Sequence, residues 1–337
     1  MAKIAKIIIN HEYNSINIDM LIKDKVIPFD VYIKRYNDFV IIIESGTILD
    51  QNLRAKLMTH ESIYIKNHDL DTLADYTALH SCITVLNHSK KIVDPISEAL
   101  KITEKNGLIS DYKRKLFFVY STTADLTQYL FDKRDENLHR EALYACVREI
   151  VDTLNTDINV MPTILKFMPE EYTTYHHSTN VAFFSVILGY KLKMSQQELL
   201  DLTYAGLVHD IGKIRIDSII LEKPSSLAEN EFELVKEHSQ IGYDILEKNG
   251  IVNQMILKAV KHHHERLDGS GYPDGLRGKM IPKAARVIGM CDTFDALTTK
   301  RTFRKSYTSF ESLLLMKRDM HTQFDESLVD IFIQMLR

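Results

Sequence analysis

The sequence predicts a mainly α protein: a C-terminal all-helical bundle preceded by a small N-terminal β-containing (α+β) domain and a helical linker. Three observations carry this expectation. β-branched and aromatic runs are concentrated near the start of the 337-residue chain. Glycine and proline nearly vanish between Leu73 and Leu154, where apolar residues recur three and four apart. The helical pattern then continues to the end, and half of the 14 histidines fall between His176 and His264, although histidine has no preference for helices.

Within residues 1–75, Lys6-Ile7-Ile8-Ile9, Val31-Tyr32-Ile33, Phe39 through Ile43 and Ile63-Tyr64-Ile65 read as strands. Turn signals such as Tyr36-Asn37-Asp38 and Glu44-Ser45-Gly46 separate them. Residues 76–150 read as a helical linker: Ile96, Ala99 and Leu100 share one face, Leu116, Phe117 and Tyr120 another, and Gly107 breaks two helices apart. Residues 151–337 form the third region, with loops at Pro162, Pro169, Gly212, Pro224, Gly250 and a glycine-rich run. Ser195-Gln196-Gln197-Glu198 is a capping box opening a helix through Leu199, Leu202 and Ala205 to His209.

Composition narrows the function. With 45% apolar residues the chain can bury sizeable cores, and a net charge of -4 offers no basic field for a nucleic-acid polymer or an anionic membrane. The longest apolar runs, such as Phe39 through Ile43, fall far short of the roughly 20 residues that span a bilayer, and no signal-peptide pattern opens the chain. A cytoplasmic protein without membrane insertion is expected. Cys82, Cys146 and Cys291 fit no metal or redox spacing and read as buried thiols.

The chemistry-bearing residues are His177, the pair His209-Asp210, His238, the pair His263-His264, and Asp292, each at or near the end of a helix with an apolar face. Taken singly, His177 or His238 reads as an ordinary core or surface histidine; His176, His262 and His321 read as non-ligands. Taken together, five histidines and two aspartates without cysteine suit iron, manganese, zinc, cobalt or nickel. They exceed the needs of one tetrahedral ion and fit two ions about 3.5–4 Å apart, bridged by a carboxylate, that act on a phosphoester.

These residues lie in motifs that resemble the HD-GYP family, the bacterial branch of the HD metal-dependent phosphohydrolases. Tyr172-Thr173 with His177-Ser178-Thr179-Asn180-Val181 resembles its first-histidine helix, and Ala205 through Lys213, AGLVHDIGK, its HD signature. Leu221 through Pro224 and Glu237-His238 are similar to the segment that follows. His263-His264-Glu265 through Gly271-Tyr272-Pro273 resembles the signature that names the family. Asp292-Thr293-Phe294-Asp295-Ala296-Leu297-Thr298 and Phe324-Asp325 complete a likeness covering roughly residues 150–337.

The resemblance implies an all-helical HD-type domain that hydrolyses cyclic di-GMP to pGpG, and in many members onward to GMP, by attack of a hydroxide held between two metals. Carried onto this chain, the metal ligands are His177, His209, Asp210, His238, His263, His264 and Asp292, with Asp210 as the bridge and iron as the first choice of metal. His209, Asp210 and Lys213 would carry the catalytic step, Lys213 as the assisting cation. Lys213, Tyr272, Arg301 and Arg304 would contact substrate, the arginines through their planar forks. Asp295, three residues after Asp292 and able to share its helix face, is grouped with them as a residue that orients a ligand. Thr173 stands where some members carry a glutamate that helps hold a third metal; Glu171 lies two residues further back. Two ions are therefore expected, with altered second-step hydrolysis as a consequence.

The alternatives are a cyclic-dinucleotide or partner-binding module with little or no turnover, and a phosphodiesterase for mixed cyclic GMP-AMP. Residues 1–75 lack a phosphoacceptor pattern, a GGDEF signature and a glycine-rich nucleotide loop. Pro28 through Ile33 resembles a segment found ahead of some HD-GYP domains. A sensor or dimerisation module is expected there, with a homodimer and signalling proteins as partners; a purely structural cap is the other reading.

Overall fold

A computed structural model describes residues 12–16, 18–22, 27–35, 38–60, 62–70, 73, 112–132, 136, 138–156, 160–165, 168, 173–221, 223, 225–300 and 306–336. These fall into two compact units, one of the residues up to Leu73 together with 112–114 and one from Lys115 onward.

The first unit is a four-stranded antiparallel sheet of β1 (Tyr13–Ile16), β2 (Val31–Arg35), β3 (Asp38–Ile43) and β4 (Ile63–Lys66), in the order β1-β4-β2-β3. Helix α1 (Gln51–Leu57) starts where the Asp50 side chain accepts the Leu53 N–H, the usual way to satisfy an orphan donor. The period of two in β4 buries Ile63 and Ile65. They join Val31, Ile33, Leu21, Ile27, Phe29, Leu49 and Leu57 in one core. Tyr13 stacks on Phe39 at 4.1 Å, and Phe39 meets Tyr64 edge-on at 5.0 Å. Three of the four expected strands are present; Lys6–Ile9 lies outside the described residues. Strand β1 was not legible, because Tyr13-Asn14-Ser15-Ile16 has two weak strand formers and becomes a strand by pairing with β4.

The second unit is helical: α2 (Tyr112–Asp132), α3 (Arg140–Thr156), α4 (Met161–Ile164), α5 (Thr174–Lys191), α6 (Gln196–Val208), α7 (Ser218–Leu221), α8 (Glu229–Lys236), α9 (His238–Lys248), α10 (Gln254–His262), α11 (Lys283–Thr298), α12 (Ser309–Arg318) and α13 (Glu326–Met335). A 3-10 turn, Ile211–Arg215, follows α6. Helix α5 is its axis. Every residue from His176 to Gly189 is buried: a polar first part, His176 to Asn180, and a run from Val181 to Leu188 that is apolar on every side but for Ser185; α6, α11 and α13 pack against it. Phe184, Phe294 and Phe332 bring α5, α11 and α13 together, with ring centroids 4.7–5.8 Å apart.

The expected capping box is formed: Ser195 and Glu198 open α6. The limit placed between residues 150 and 151 falls inside α3, since nothing from Arg140 to Thr156 interrupts a helix. The Gly107 break, the Ile96 face and Cys82 lie outside the described residues. Cys146 and Cys291 are buried, and burial pushes the Cys291 thiol up to about 12. No helix among the described residues is long and apolar enough to cross a membrane.

Helix α10 is registered by Asn253. Its side-chain oxygen accepts the Met255 and Ile256 N–H groups, while its amide donates to Asp201 of α6 at 2.8 Å. Asn253→Ala therefore loses both a cap and a helix–helix bond. A stability loss of about 1–2 kcal/mol in urea denaturation is expected.

Candidate metal centre

Four helix ends and the body of a fifth helix converge on one point. Thr173 caps α5 by accepting the His176 N–H, which sets His177 in the first turn. His209 follows the last residue of α6, and Asp210 and Lys213 sit at and within the 3-10 turn. His238 opens α9, His263 and His264 follow α10, and Asp292 and Asp295 lie on α11. A close backbone approach makes this convergence possible. A Cβ on Gly212 would stand 2.0 Å from the His238 carbonyl oxygen and 2.7 Å from the Gly242 nitrogen, so only glycine lets the turn press against α9.

The histidines are aimed. The Nδ1–H groups of His209, His238 and His263 donate to the carbonyls of Gly206, Val235 and Val260, three residues back, at 2.8, 2.5 and 2.6 Å. His177 Nδ1–H donates to Asp295 Oδ2 at 2.7 Å. Each bond fixes one tautomer and leaves a bare Nε2 lone pair facing inward. Around Asp210, its Oδ2 lies 3.4 Å from His209 Nε2 and 3.6 Å from His177 Nε2, and its Oδ1 lies 3.3 Å from His238 Nε2. His177 Nε2 is also 3.2 Å from Asp292 Oδ1, and His264 Nδ1 is 3.7 Å from Asp292 Oδ2.

Two groups of donors result, each with its atoms within 4.8 Å of one another: Asp210, His238, His263 and His264, and His177, His209 and Asp210. Asp210 is common to both, the position a bridging carboxylate needs. The residues fit divalent ions on a further ground. The Nε2 atoms of His238 and His263 are 3.3 Å apart, two lone pairs facing each other in a dry interior. Ligands about 2.1 Å from a shared ion stand roughly 3.0–3.4 Å apart. Among the described residues, no hydrogen bond reaches the buried His209 Nε2 or Asp210 Oδ1, atoms that a cation would satisfy.

The electrostatics favour the ligand forms. Burial lowers His238 to about 4 and holds His263 and His264 well below the usual imidazole value, helped by the neighbouring rings. Burial works against ionisation of Asp210 and is outweighed by the Lys213 ammonium, 2.5 Å away, and by His209. For Asp292 it is outweighed by the neighbouring His177 and His264. Both carboxyls stay well below the ordinary range, so anionic carboxylates and neutral imidazoles coexist.

The glycine-rich loop is tied to the centre by side chains whose parts in this were not read from the sequence. Glu265, 4% exposed, accepts the backbone N–H groups of Asp274 and Leu276 at 2.8 and 2.9 Å. Arg266 donates to the carbonyls of His263 and Glu265, with its guanidinium 4.9 Å from the Phe324 ring. A Cβ on Gly271 would lie 2.4 Å from three backbone atoms of the chain from His264 to Arg266. Tyr272 is thereby held 4.7 Å from the His264 ring, and burial pushes its phenol well up. Across from it on α8, Lys236 Nζ lies 4.9 Å from the Phe232 ring and 5.7 Å from Tyr272. No spacing signal marks Phe232, because its partners come from a different loop.

The remaining residues fall as follows. Asp295 is 2% exposed and gives one oxygen to His177 and the other to Asn180, at 2.7 Å each. It therefore sits behind His177, whose ring it orients, rather than at a surface. His176 meets Thr173, His262 meets Asp274 in the loop, and His321 is exposed. Asp325 caps α13 and pairs with Arg286 at 2.7 Å, a structural role. Thr173 serves as a helix cap. Arg301, Arg304 and Glu171 lie outside the described residues.

An all-helical bundle with a buried His-Asp centre of this kind defines an HD-type domain. Residues 162–328 match the family model described as HD domain, and the chain belongs to that family, in its HD-GYP branch. Over 205 residues, 60% of this chain, it is 30% identical to the cyclic di-GMP phosphodiesterase PA4108 of Pseudomonas aeruginosa, covering 49% of that protein. Over 152 residues, 45% of this chain, it is 35% identical to the 3'3'-cGAMP-specific phosphodiesterase 3 of Vibrio cholerae, covering 33% of that protein. The chain thus spans less than half the length of these relatives. Its fold matches Bd1817, an HDG"Y"P protein from Bdellovibrio bacteriovorus, across 96% of this chain and 99% of that one, with a TM-score of 0.57 and 16% identity. That likeness is one of fold.

Proposed function

We propose that the protein is a metal-dependent phosphodiesterase that opens cyclic di-GMP to linear pGpG and carries it on, more slowly, to GMP. The observation that carries this reading is Asp210 shared by two groups of inward-aimed donors. His177, His209, Asp210 and Asp292 would hold one ion, and Asp210, His238, His263 and His264 the other. Iron is the first choice, because imidazole and carboxylate donors without thiolate suit it. Bound there, two divalent ions supply Lewis acidity to a phosphoryl oxygen and an activated water at neutral pH.

The chain's own groups do the rest. Lys213, 17% exposed beside Asp210, brings positive charge to the phosphodiester as negative charge develops on it. Tyr272 and Phe232 form walls against which a purine can stack, and Lys236 between them offers a cation. Arg301 and Arg304 are proposed phosphate and guanine contacts. The buried Glu265 and the half-buried Arg266 keep the loop at the mouth. Residues 1–75 are proposed as a sensor or dimerisation module, which deletion of that segment tests through turnover and sedimentation.

The relatives divide between cyclic di-GMP and 3'3'-cGAMP in their names, so the test uses both. Anaerobically purified protein, loaded in parallel with Fe, Mn and Zn, is given the two dinucleotides in competition and the products are separated. Preferential release of pGpG is expected; preferential cleavage of 3'3'-cGAMP overturns the substrate, and tight binding without cleavage under every metal overturns the enzyme. Tyr272→Ala is expected to raise KM about tenfold or more, as loss of a stacking contact of roughly 1–3 kcal/mol implies. Its metal content stays unchanged, which elemental analysis checks.

A further inference from the structure

A chain of three buried hydrogen bonds runs from the metal centre to a helix outside the family-matched residues 162–328. His177 Nδ1–H donates to Asp295 Oδ2 at 2.7 Å, and Asn180 Nδ2–H donates to Asp295 Oδ1 at 2.7 Å. Tyr120 of α2 donates its hydroxyl to Asn180 Oδ1 at 2.6 Å. All four side chains are buried: Tyr120 is 1% exposed and the others 2%. The Tyr120 ring packs edge-on against Phe183 at 5.4 Å.

From this geometry we infer that Tyr120 is a positioning residue of the metal centre: it fixes Asn180, Asn180 fixes Asp295, and Asp295 sets the tautomer and direction of His177. The inference rests on the metal reading of the site. Its physical basis is the order of donors. Asp295 is a buried carboxylate with two oxygens to satisfy, and only one of them faces the ligand. The other is held by the Asn180 amide, whose orientation is free to flip unless its own oxygen is engaged. The Tyr120 hydroxyl engages that oxygen, so the amide must present its NH2 to Asp295. Without it, the Asn180 oxygen can turn toward Asp295, acceptor facing acceptor, and the carboxylate shifts off His177. Bonds of this kind behind a ligand histidine contribute about 10- to 100-fold in metal affinity. A buried network also couples its members more strongly than isolated pairs.

The test is Mn2+ affinity of the metal-free full-length protein, with thermal melting followed in parallel. Tyr120→Phe keeps the ring against Phe183 and removes only the hydroxyl; about a tenfold weaker Mn2+ affinity is expected. Tyr190→Phe is the control, because its hydroxyl donates to the Val151 carbonyl at 2.7 Å and makes no bond to this chain of residues. It is expected to lower the melting temperature while leaving Mn2+ affinity at the wild-type value. Asn180→Leu, which removes the middle link at similar volume, is expected to weaken Mn2+ binding at least as much as Tyr120→Phe, and serves if the latter fails to fold. Wild-type affinity in folded Tyr120→Phe or Asn180→Leu overturns the inference with the metal reading intact. Absence of Mn2+ binding by the wild type overturns the metal reading and the inference with it.

Discussion

Asp210→Ala is expected to abolish cleavage of the dinucleotide and to drop metal content from about two ions per chain to below one. Each of the other proposed ligands serves one ion, whereas Asp210 is the residue that both donor groups contain. Its Oδ2 faces His177, His209 and Lys213, and its Oδ1 faces His238. Removing it leaves His238 and His263 with their Nε2 atoms 3.3 Å apart and no anion to balance a cation between them. Lys213 also loses its carboxylate. Circular dichroism of the metal-free variant separates a lost site from a lost fold. Full turnover in folded Asp210→Ala would contradict the assigned mechanism.

The second large effect is expected from Gly212→Ala. The new Cβ would stand 2.0 Å from the His238 carbonyl oxygen and 2.8 Å from its carbon, contacts that only a movement of backbone can relieve. The 3-10 turn must lift from α9, and the 3.3 Å approach of Asp210 to His238 opens with it. Overpacking of this kind costs about 1–3 kcal/mol of stability, and the displacement is expected to abolish turnover even in the folded fraction. Denaturant titration and metal content read the two consequences separately. A variant with wild-type metal content would show that the close approach is not what assembles the centre.

The gathering of metal-capable residues was legible because most of them sit at a helix end, where a one-dimensional motif already fixes direction; Asp292 lies in the middle of α11. His209-Asp210 ends α6, His263-His264 ends α10, and His238 opens α9. The sheet of the first unit was legible where β-branched residues alternate, as in Ile63 and Ile65. What lay beyond the sequence depends on contacts between distant residues. Tyr120 and Asn180 are 60 positions apart, Asn180 and Asp295 115, and nothing local in α2 announces a hydroxyl that would meet Asn180. Nothing local marks Phe232 either, since its ring partner Tyr272 comes from a different loop. Asp295 was read from its helix face as orienting a ligand and was grouped with the substrate contacts; its burial and its bonds put it behind His177 and against the Asn180 amide. Thr173 read as the absence of a glutamate, and it is also the cap that starts α5.

Anomalous X-ray scattering from crystals of the anaerobically iron-loaded protein tests the central claim most directly. The account predicts two peaks about 3.5–4 Å apart, one beside His177 and His209, the other beside His238, His263 and His264, with Asp210 touching both. A single peak, or peaks that leave Asp210 uncoordinated, would contradict it.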